Sequence, residues 1–493
     1  MKTLTMKEKS IARANSSNDY FLYFVFVVGL IFLGLVSLNT IVLSKPVIVG
    51  LGIITIAAVF LLALVDIGKL SLLFVIYLPF SRLLPGDFGT GTWALNLTNI
   101  FFVLMIIAIL MEKMKANINI IPKSSLSIPI AIFCVINIIS FFVSYQNIGY
   151  VYLEEFFTSL KQWLSPMLLF YVFLISVKDK DEIRRIVSLV VLITVCISFL
   201  LVFEYLRVRG AEDFDKMRVS GIFGQPNRAG AFFVYYGLIL FAIFLNNLRS
   251  FKHWFLIFPI LVQARALMYT FSRGAIAAFL FAILFMTFIR NKIIFILLIF
   301  SLVFVVLNPK LMPSALYERF SSTFLEEGQA AQGDVKDSLE PSAQRRITIW
   351  EGAILMIEEH PLFGIGYGLF PSTISSYASI HKVDSHNTYI TLAAELGLVG
   401  LMVFLWIMLL ILKNAWFVYR RTKDTFIKSF ALGFLAGTVG LLVCNMFGTR
   451  LDSQEVTGLF WILTACIFKS KQIIIEEQKS KKNEKNKNTI RNR

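Results

Sequence analysis

Residues 383–412 read VDSHNTYITLAAELGLVGLMVFLWIMLLIL, an apolar run long enough to cross a bilayer but entered through Asp384, Ser385, His386 and Asn387. A hydrocarbon core penalises polar groups unless they find partners or do work there, so this entry needs an explanation from the rest of the chain. Hydrophobic residues make up 57% of the 493 and charged residues only 16%. Apolar runs of the roughly 20 residues that span a bilayer recur along the sequence. The pattern predicts an all-α, polytopic membrane protein, and the alternating segments of a membrane β-barrel are not present in the sequence.

Spans are expected near 20–43, 47–65, 69–80, 96–111, 126–144, 157–177, 184–205, 229–246, 254–271, 273–289, 293–307, 387–412, 426–447 and 455–468. That amounts to about 12–14 transmembrane helices, with the short third run and the 254–289 pair setting the range. The first run is too long for a signal-peptide core and lacks a small-residue cleavage site after it, so it reads as a retained helix. Lys and Arg test the register, because they collect on the cytoplasmic side. They precede the first span and then fall on alternate loops, at Lys113 to Lys123, Lys178 to Arg185, Arg249 and Lys252, Arg290 and Lys292, and Arg420 to Lys423. Both termini are therefore expected in the cytoplasm. Residues 1–19 form the N-terminal segment, 20–470 the membrane domain, and 471–493 a basic, disordered tail.

Two long polar segments then face outward, 206–228 and 308–386. The larger begins with apolar-poor sequence. It continues into RRITIWEGAILMIEE (345–359), where Ile347, Trp350, Ile354 and Ile357 recur at helical spacing. An amphipathic helix is expected there, on the outer surface of the bundle, ended by Gly364, Gly366 and Gly368.

The net charge is +16, much of it in the tail KSKKNEKNKNTIRNR. Without interleaved aromatics this fits anionic lipid headgroups and not nucleic acid. The four cysteines lie in apolar runs without CxxC spacing, which implies neither disulfide nor metal. No HExxH, Cys/His cluster, Walker loop, GxSxG elbow or strand-linked GxGxxG occurs, so neither a metal nor a cofactor is expected.

The outward segments favour arginine: Arg207, Arg209, Arg218, Arg228, Arg273, Arg345, Arg346 and Arg450. A guanidinium is always charged and its planar fork fits phosphate bidentately, so the cluster suggests a phosphate or diphosphate ligand. Pairing with Glu204, Asp213, Asp215 or headgroups is the alternative. Arg273, with Ser272 and Gly274, interrupts otherwise apolar sequence, where an arginine needs a cavity, a counterion or a route to the interface. In RVSGIFGQPNRAGAFF (218–233), Pro226 and Asn227 suit a helix start, with Asn227 as a possible cap. His386 titrates near neutrality and is suited to taking a proton from a hydroxyl; a hydrogen-bonded helix cap is the other reading.

Five features together resemble the O-antigen ligase and polymerase superfamily of bacterial membrane enzymes. They are the Ser272-Arg273-Gly274 interruption, the upstream Arg218, Gly221, Phe223, Pro226, Asn227 element, Arg346 with Trp350, HPLFGIGYGLF (360–370) and HNTYITLAAELGLVG (386–400). The resemblance implies metal-independent, inverting glycosyl transfer at the outer face of the cytoplasmic membrane, from a glycan carried on undecaprenyl diphosphate. It implies His386 as the base or acceptor-orienting residue and Arg218, Arg273 and Arg346 as the grip on the diphosphate. Ser272, Asn227, Trp350, Asn387 and Glu395 would support them, with Asn387 and Glu395 positioning the histidine; for Glu395, about two turns deeper, a packed polar residue or a helix-pair contact is the alternative. Membrane lipids, a flippase and a chain-length regulator are the implied partners.

The Lys, Ile, Phe and Asn bias suits an AT-rich, Gram-positive genome and favours a polymerase of capsule, exopolysaccharide or teichuronic-acid-like polymer. A ligase delivering glycan to a terminal acceptor is the first alternative and a lipid-linked oligosaccharide flippase the second. The long segment 308–386 weighs against a flippase, because loops beyond about 12–15 residues are usually functional or disordered.

Overall fold

The computed structural model describes residues 67–83, 97–116, 124–148, 153–210, 214–311, 341–451 and 453–491. Thirteen α-helices longer than a few residues occur among them, in chain order α1 Ile67–Tyr77, α2 Leu97–Ala116, α3 Ser127–Ile148, α4 Leu153–Ser176, α5 Lys180–Val208, α6 Pro226–Asn246, α7 Ile257–Tyr269, α8 Arg273–Arg290, α9 Lys292–Leu307, α10 Pro341–Glu359, α11 Thr388–Arg421, α12 Thr425–Cys444 and α13 Gln454–Arg491. No strand occurs among the described residues, and the chain is an all-α polytopic membrane protein. The expected spans 20–43 and 47–65 lie outside the described residues. Each of the other twelve has its helix, and the loop helix α10 is the thirteenth.

Eight of these helices are long and apolar enough to cross a membrane. The other expected spans fall short of that measure: α1, α7 and α9 have 11, 13 and 16 residues, and the apolar part of α2 is confined to Thr98–Met111. The tail expected to be disordered continues α13 as helix to Arg491. Lys, Glu and Gln are good helix formers, and extending a formed helix avoids the unfavourable nucleation step.

The centre of the bundle is α6 packed on α12. Gly433 and Gly437 of α12 lie against the backbone of Ile239 and Tyr235, the small-residue contact that lets membrane helices approach closely. By contrast α9 buries none of its residues, as suits a helix facing lipid.

The feature that shapes the site is a break in α11. Gly397 sits at φ 70 inside that helix, freeing backbone groups that hydrocarbon could not satisfy. The glycine-rich loop after α10 satisfies them. Ile365 N donates to Ala394 O at 2.8 Å, Gly366 N to Glu395 O at 3.1 Å, and Leu398 N to Pro361 O at 2.8 Å. Ser140 Oγ of α3 adds a second bond to Glu395 O at 2.9 Å. The approach is closest at Gly397 itself, where a Cβ would collide with the backbone of Leu362 and Phe363, and at Gly364 a Cβ would meet the backbone of Ala394 and Glu395. The HPLFGIGYGLF stretch thus clamps α11, and α10 is held beside its N-terminus.

That helix packs through part of the expected face: Trp350 and Ile357 lie partly buried against its core. Ile349, Ala353 and Met356 are buried, whereas Ile354 is exposed. Gly352 lies on the packed side, close to Ala378 and Ile374. Ile349, Gly352, Ala353 and Met356 form the centre of the contact, Trp350 and Ile357 flank it, and Ile354 turns away.

Candidate active site

Four helix ends and two loops converge where α6, α8 and α11 begin and α12 ends. Arg218 precedes α6; its Nε donates to Thr270 O at 3.3 Å and its Nη2 to Asn227 Oδ1 at 3.2 Å. Glu204, which could have paired with an arginine, instead accepts the amides of Ser220 and Gly221 at 3.3 and 2.7 Å. This folds the 218–224 turn. Asn227 is not the cap of α6: Gln225 occupies that position without a side-chain cap, and Pro226 starts the helix.

Arg273 opens α8, and the chain reaches it through Phe271 at φ 48. Arg346 projects from α10. Between α12 and α13, Arg450 is only 8% exposed, and its Nη1 lies 3.5 Å from Gln225 Oε1.

Arg218, Asn227, Ser272, Arg273, Arg346 and Arg450 line one cavity of about 190 Å³. No Asp or Glu is among its described lining residues. Arg450 was noted in the sequence as one of eight outward arginines but was not among the expected site residues. The signal for it was the same as for Arg273, an arginine in a short break between apolar runs. Arg228 is drawn away, its Nη1 lying 3.8 Å from Glu455.

His386 has φ 53. Left-handed backbone is uncommon outside glycine, and a residue held there needs its surroundings to fix it. Those surroundings are explicit. Trp350 Nε1 of α10 donates to Ser385 O at 2.9 Å, and the buried Ser385 hydroxyl bonds Asn387 O at 2.8 Å and accepts Asn387 N at 3.0 Å. Thr388 Oγ1 donates to Asn445 Oδ1 at 2.8 Å. Asn387 is the cap of α11, accepting Tyr389 N and Ile390 N at 3.0 and 3.3 Å. The capping role is thus taken by the next residue, leaving the imidazole available.

Asp384 Oδ2 is 3.9 Å from His386 Nδ1 and accepts a hydrogen bond from Thr449 Oγ1. Burial pulls the imidazole below the ordinary histidine range. Asp384 opposes that shift, and Arg346, Arg450 and Arg345 add to it. A neutral ring is a competent base.

Glu395 does not join this cluster. Its carboxylate accepts Phe370 N at 3.2 Å, so it pins the clamp loop instead of orienting His386. Among the described residues no group of three or more His, Cys, Asp or Glu converges as metal ligands would.

No curated protein matches the chain. No more than residues 258–405, which include Arg273, Arg346, Trp350, His386, Asn387 and Glu395, match a family model, the one described as O-antigen ligase, and that match supports the resemblance to the O-antigen ligase/polymerase superfamily.

Proposed function

We propose that this protein lengthens a cell-surface polysaccharide by moving a glycan from undecaprenyl diphosphate onto a sugar hydroxyl, with inversion and without metal. The observation that carries the proposal is the cavity shared by Arg218, Arg273, Arg346 and Arg450 beside the buried flank of His386. A bound diphosphate places opposite charge among the guanidinium groups and is gripped more tightly as its charge grows.

In the step, the acceptor oxygen bonds to the anomeric carbon while the bond from that carbon to the phosphate oxygen breaks. The diphosphate leaves with the electron pair, stabilised by preorganised guanidinium groups. The hydroxyl proton goes to the neutral imidazole of His386 and from there to solvent. The activated lipid supplies the driving force, so no nucleotide is consumed. Working on a substrate anchored by its lipid also accounts for polar residues at the mouth of α11. The reaction belongs at the outer face of the cytoplasmic membrane, with both termini inside.

Purified protein in lipid with an undecaprenyl-diphosphate-linked repeat unit, without nucleotide and with a chelator, tests this directly. A ladder of longer lipid-linked chains is the expected result. Movement of unaltered substrate across the bilayer would mean a flippase. Transfer only when a terminal acceptor is added would mean a ligase, which the family match favours as much as a polymerase.

A further inference from the structure

Asn445 caps the C-terminus of α12 and is fully buried, and both ends of its carboxamide are bonded twice. Its Oδ1 accepts Thr388 Oγ1 at 2.8 Å and the backbone N of Arg450 at 3.2 Å. Its Nδ2 donates to the Tyr235 hydroxyl at 2.9 Å and to Leu441 O at 2.8 Å. A backbone N–H can only donate, so the oxygen must face Arg450 and the NH2 group must face Tyr235. An asparagine that merely closed α12 would need no more than the bond to Leu441.

The segments it joins are the ones that build the site. Thr388 opens α11 two residues after His386, and its backbone N also donates to Asn445 O at 2.9 Å. Arg450 sits in the strap between α12 and α13 and lines the arginine cavity. Tyr235 belongs to α6, whose first turn gives Asn227 to the same cavity. The strap is fitted closely to the turn before α11. Gly448 O lies 3.2 Å from Thr388 Oγ1, Thr449 Oγ1 donates to Asp384, and a Cβ on Gly448 would strike the Arg450 guanidinium. Neither Thr388 nor Asn445 lines the arginine cavity.

We propose that Asn445 is a positioning residue for the transfer step, fixing the His386 turn against the arginine strap by holding Thr388 and the Arg450 backbone on one oxygen. The inference rests on the transfer reading above and deepens it. Base and guanidinium come from segments far apart in the chain, yet they must act on one anomeric carbon at the same moment. Misplacing a reacting group by about an ångström costs on the order of 10²-fold in rate, even when each group is itself intact. A buried carboxamide with all its bonds made is a rigid spacer between the two.

The test uses full-length protein in lipid nanodiscs, with an undecaprenyl-diphosphate-linked repeat unit for kinetics and undecaprenyl diphosphate, the leaving group, for equilibrium binding. Thr388→Val removes the hydroxyl, keeps the backbone bond to Asn445 O and leaves the cavity wall untouched. It is expected to lower kcat about 10- to 100-fold, with the donor KM and the affinity for undecaprenyl diphosphate unchanged. Thr388→Ser returns the hydroxyl and should restore kcat. Asn445→Ala should lose at least as much, and its loss should not multiply with that of Thr388→Val in the double variant, because both act through one bond. Thermal unfolding checks each fold, and Thr388→Val decides the matter alone where Asn445→Ala does not fold.

A wild-type kcat in Thr388→Val, a loss that Thr388→Ser does not restore, losses that multiply in the double variant, or a matching loss of undecaprenyl diphosphate affinity would overturn the positioning role while leaving transfer intact. A wild type that binds undecaprenyl diphosphate but transfers nothing would overturn the transfer reading itself, and this inference with it.

Discussion

The two ends of the helix bundle use charge in opposite ways. At the end where α5, α9 and α12 begin, basic groups meet partners side to side. Lys180 Nζ lies 2.5 Å from Glu477 Oε1, and Arg184 lies 2.8 Å from Asp181 and also pairs with Asp424. Arg290 Nε donates to Asn246 Oδ1 at 2.5 Å. One acidic partner doubles as a helix cap: Asp424 accepts the first amides of α12, as Asp179 does for α5. At the other end, four arginines face one another across a cavity with no described carboxylate in its wall. The first arrangement sets acidic groups among the basic ones. The second gathers charge of one sign around a space, which suits a ligand of the opposite sign.

The sharpest attack on this contrast is at His386. His386→Asn should abolish the base yet keep the fold, because asparagine tolerates left-handed backbone far better than other non-glycine residues. Glycan transfer is expected to fall about 10²–10⁴-fold with an unchanged melting temperature. His386→Gly should lose as much activity and gain stability by relieving the strain at φ 53. Full activity in either variant would remove His386 from the chemistry.

Next in size is a paired comparison of the ends. Arg273→Ala should lower transfer about 10²–10³-fold, the scale of removing one transition-state donor. Arg273→Lys should recover only part of it, because an ammonium cannot reproduce the bidentate fork. Arg184→Ala removes an arginine with two ion pairs, yet exposed pairs contribute about 0–1 kcal/mol, so its transfer rate should match wild type. Equal losses at the two ends would dissolve the distinction.

The pH dependence of kcat/KM sharpens it further, since that parameter reports the free enzyme. His386 is held below its ordinary value and acts when neutral, so activity should persist below about pH 6.5 and fall as pH drops through the lowered pKa. Arg346→Ala removes one of the charges that depress it and should move the acidic limb to higher pH. Asp384→Asn removes the opposing charge and should move the limb lower. A limb that stays fixed in both variants would place the titrating group elsewhere.

Much of this was legible in the sequence, for definite reasons. Long apolar runs fix helices because a bilayer leaves few alternatives, and Arg218, Arg273, Arg346 and His386 stand out because a charge or imidazole at a membrane boundary is expensive. What was misread depended on packing. The contact face of α10 centres on Ile349, Gly352, Ala353 and Met356 and leaves Ile354 exposed, an offset of the buried stripe that helical spacing alone does not fix. Glu395 looked like a partner for the histidine from two turns away, but the break at Gly397 brings in a loop that takes its carboxylate. The bonds of Asn445 draw on α6, α11 and the strap after α12. No local pattern could assemble side chains so far apart in the chain.

The smallest expected effect tests how the loop helix holds the site. Trp350 reaches from α10 to the carbonyl of Ser385, the residue before His386. Trp350→Phe preserves the ring and leaves that carbonyl without the indole donor, a change of about 1 kcal/mol in a partly buried setting. If α10 serves only to cover the bundle, the loss should appear in thermal stability alone. If the indole fixes the strained turn, the imidazole will spend less time in the reactive orientation, and kcat should fall severalfold while the donor KM stays put, because the arginine cavity is untouched. That split separates holding the diphosphate from aiming the base, two tasks assigned to neighbours one turn apart on the same face of one loop helix: Arg346 on the cavity and Trp350 on the turn.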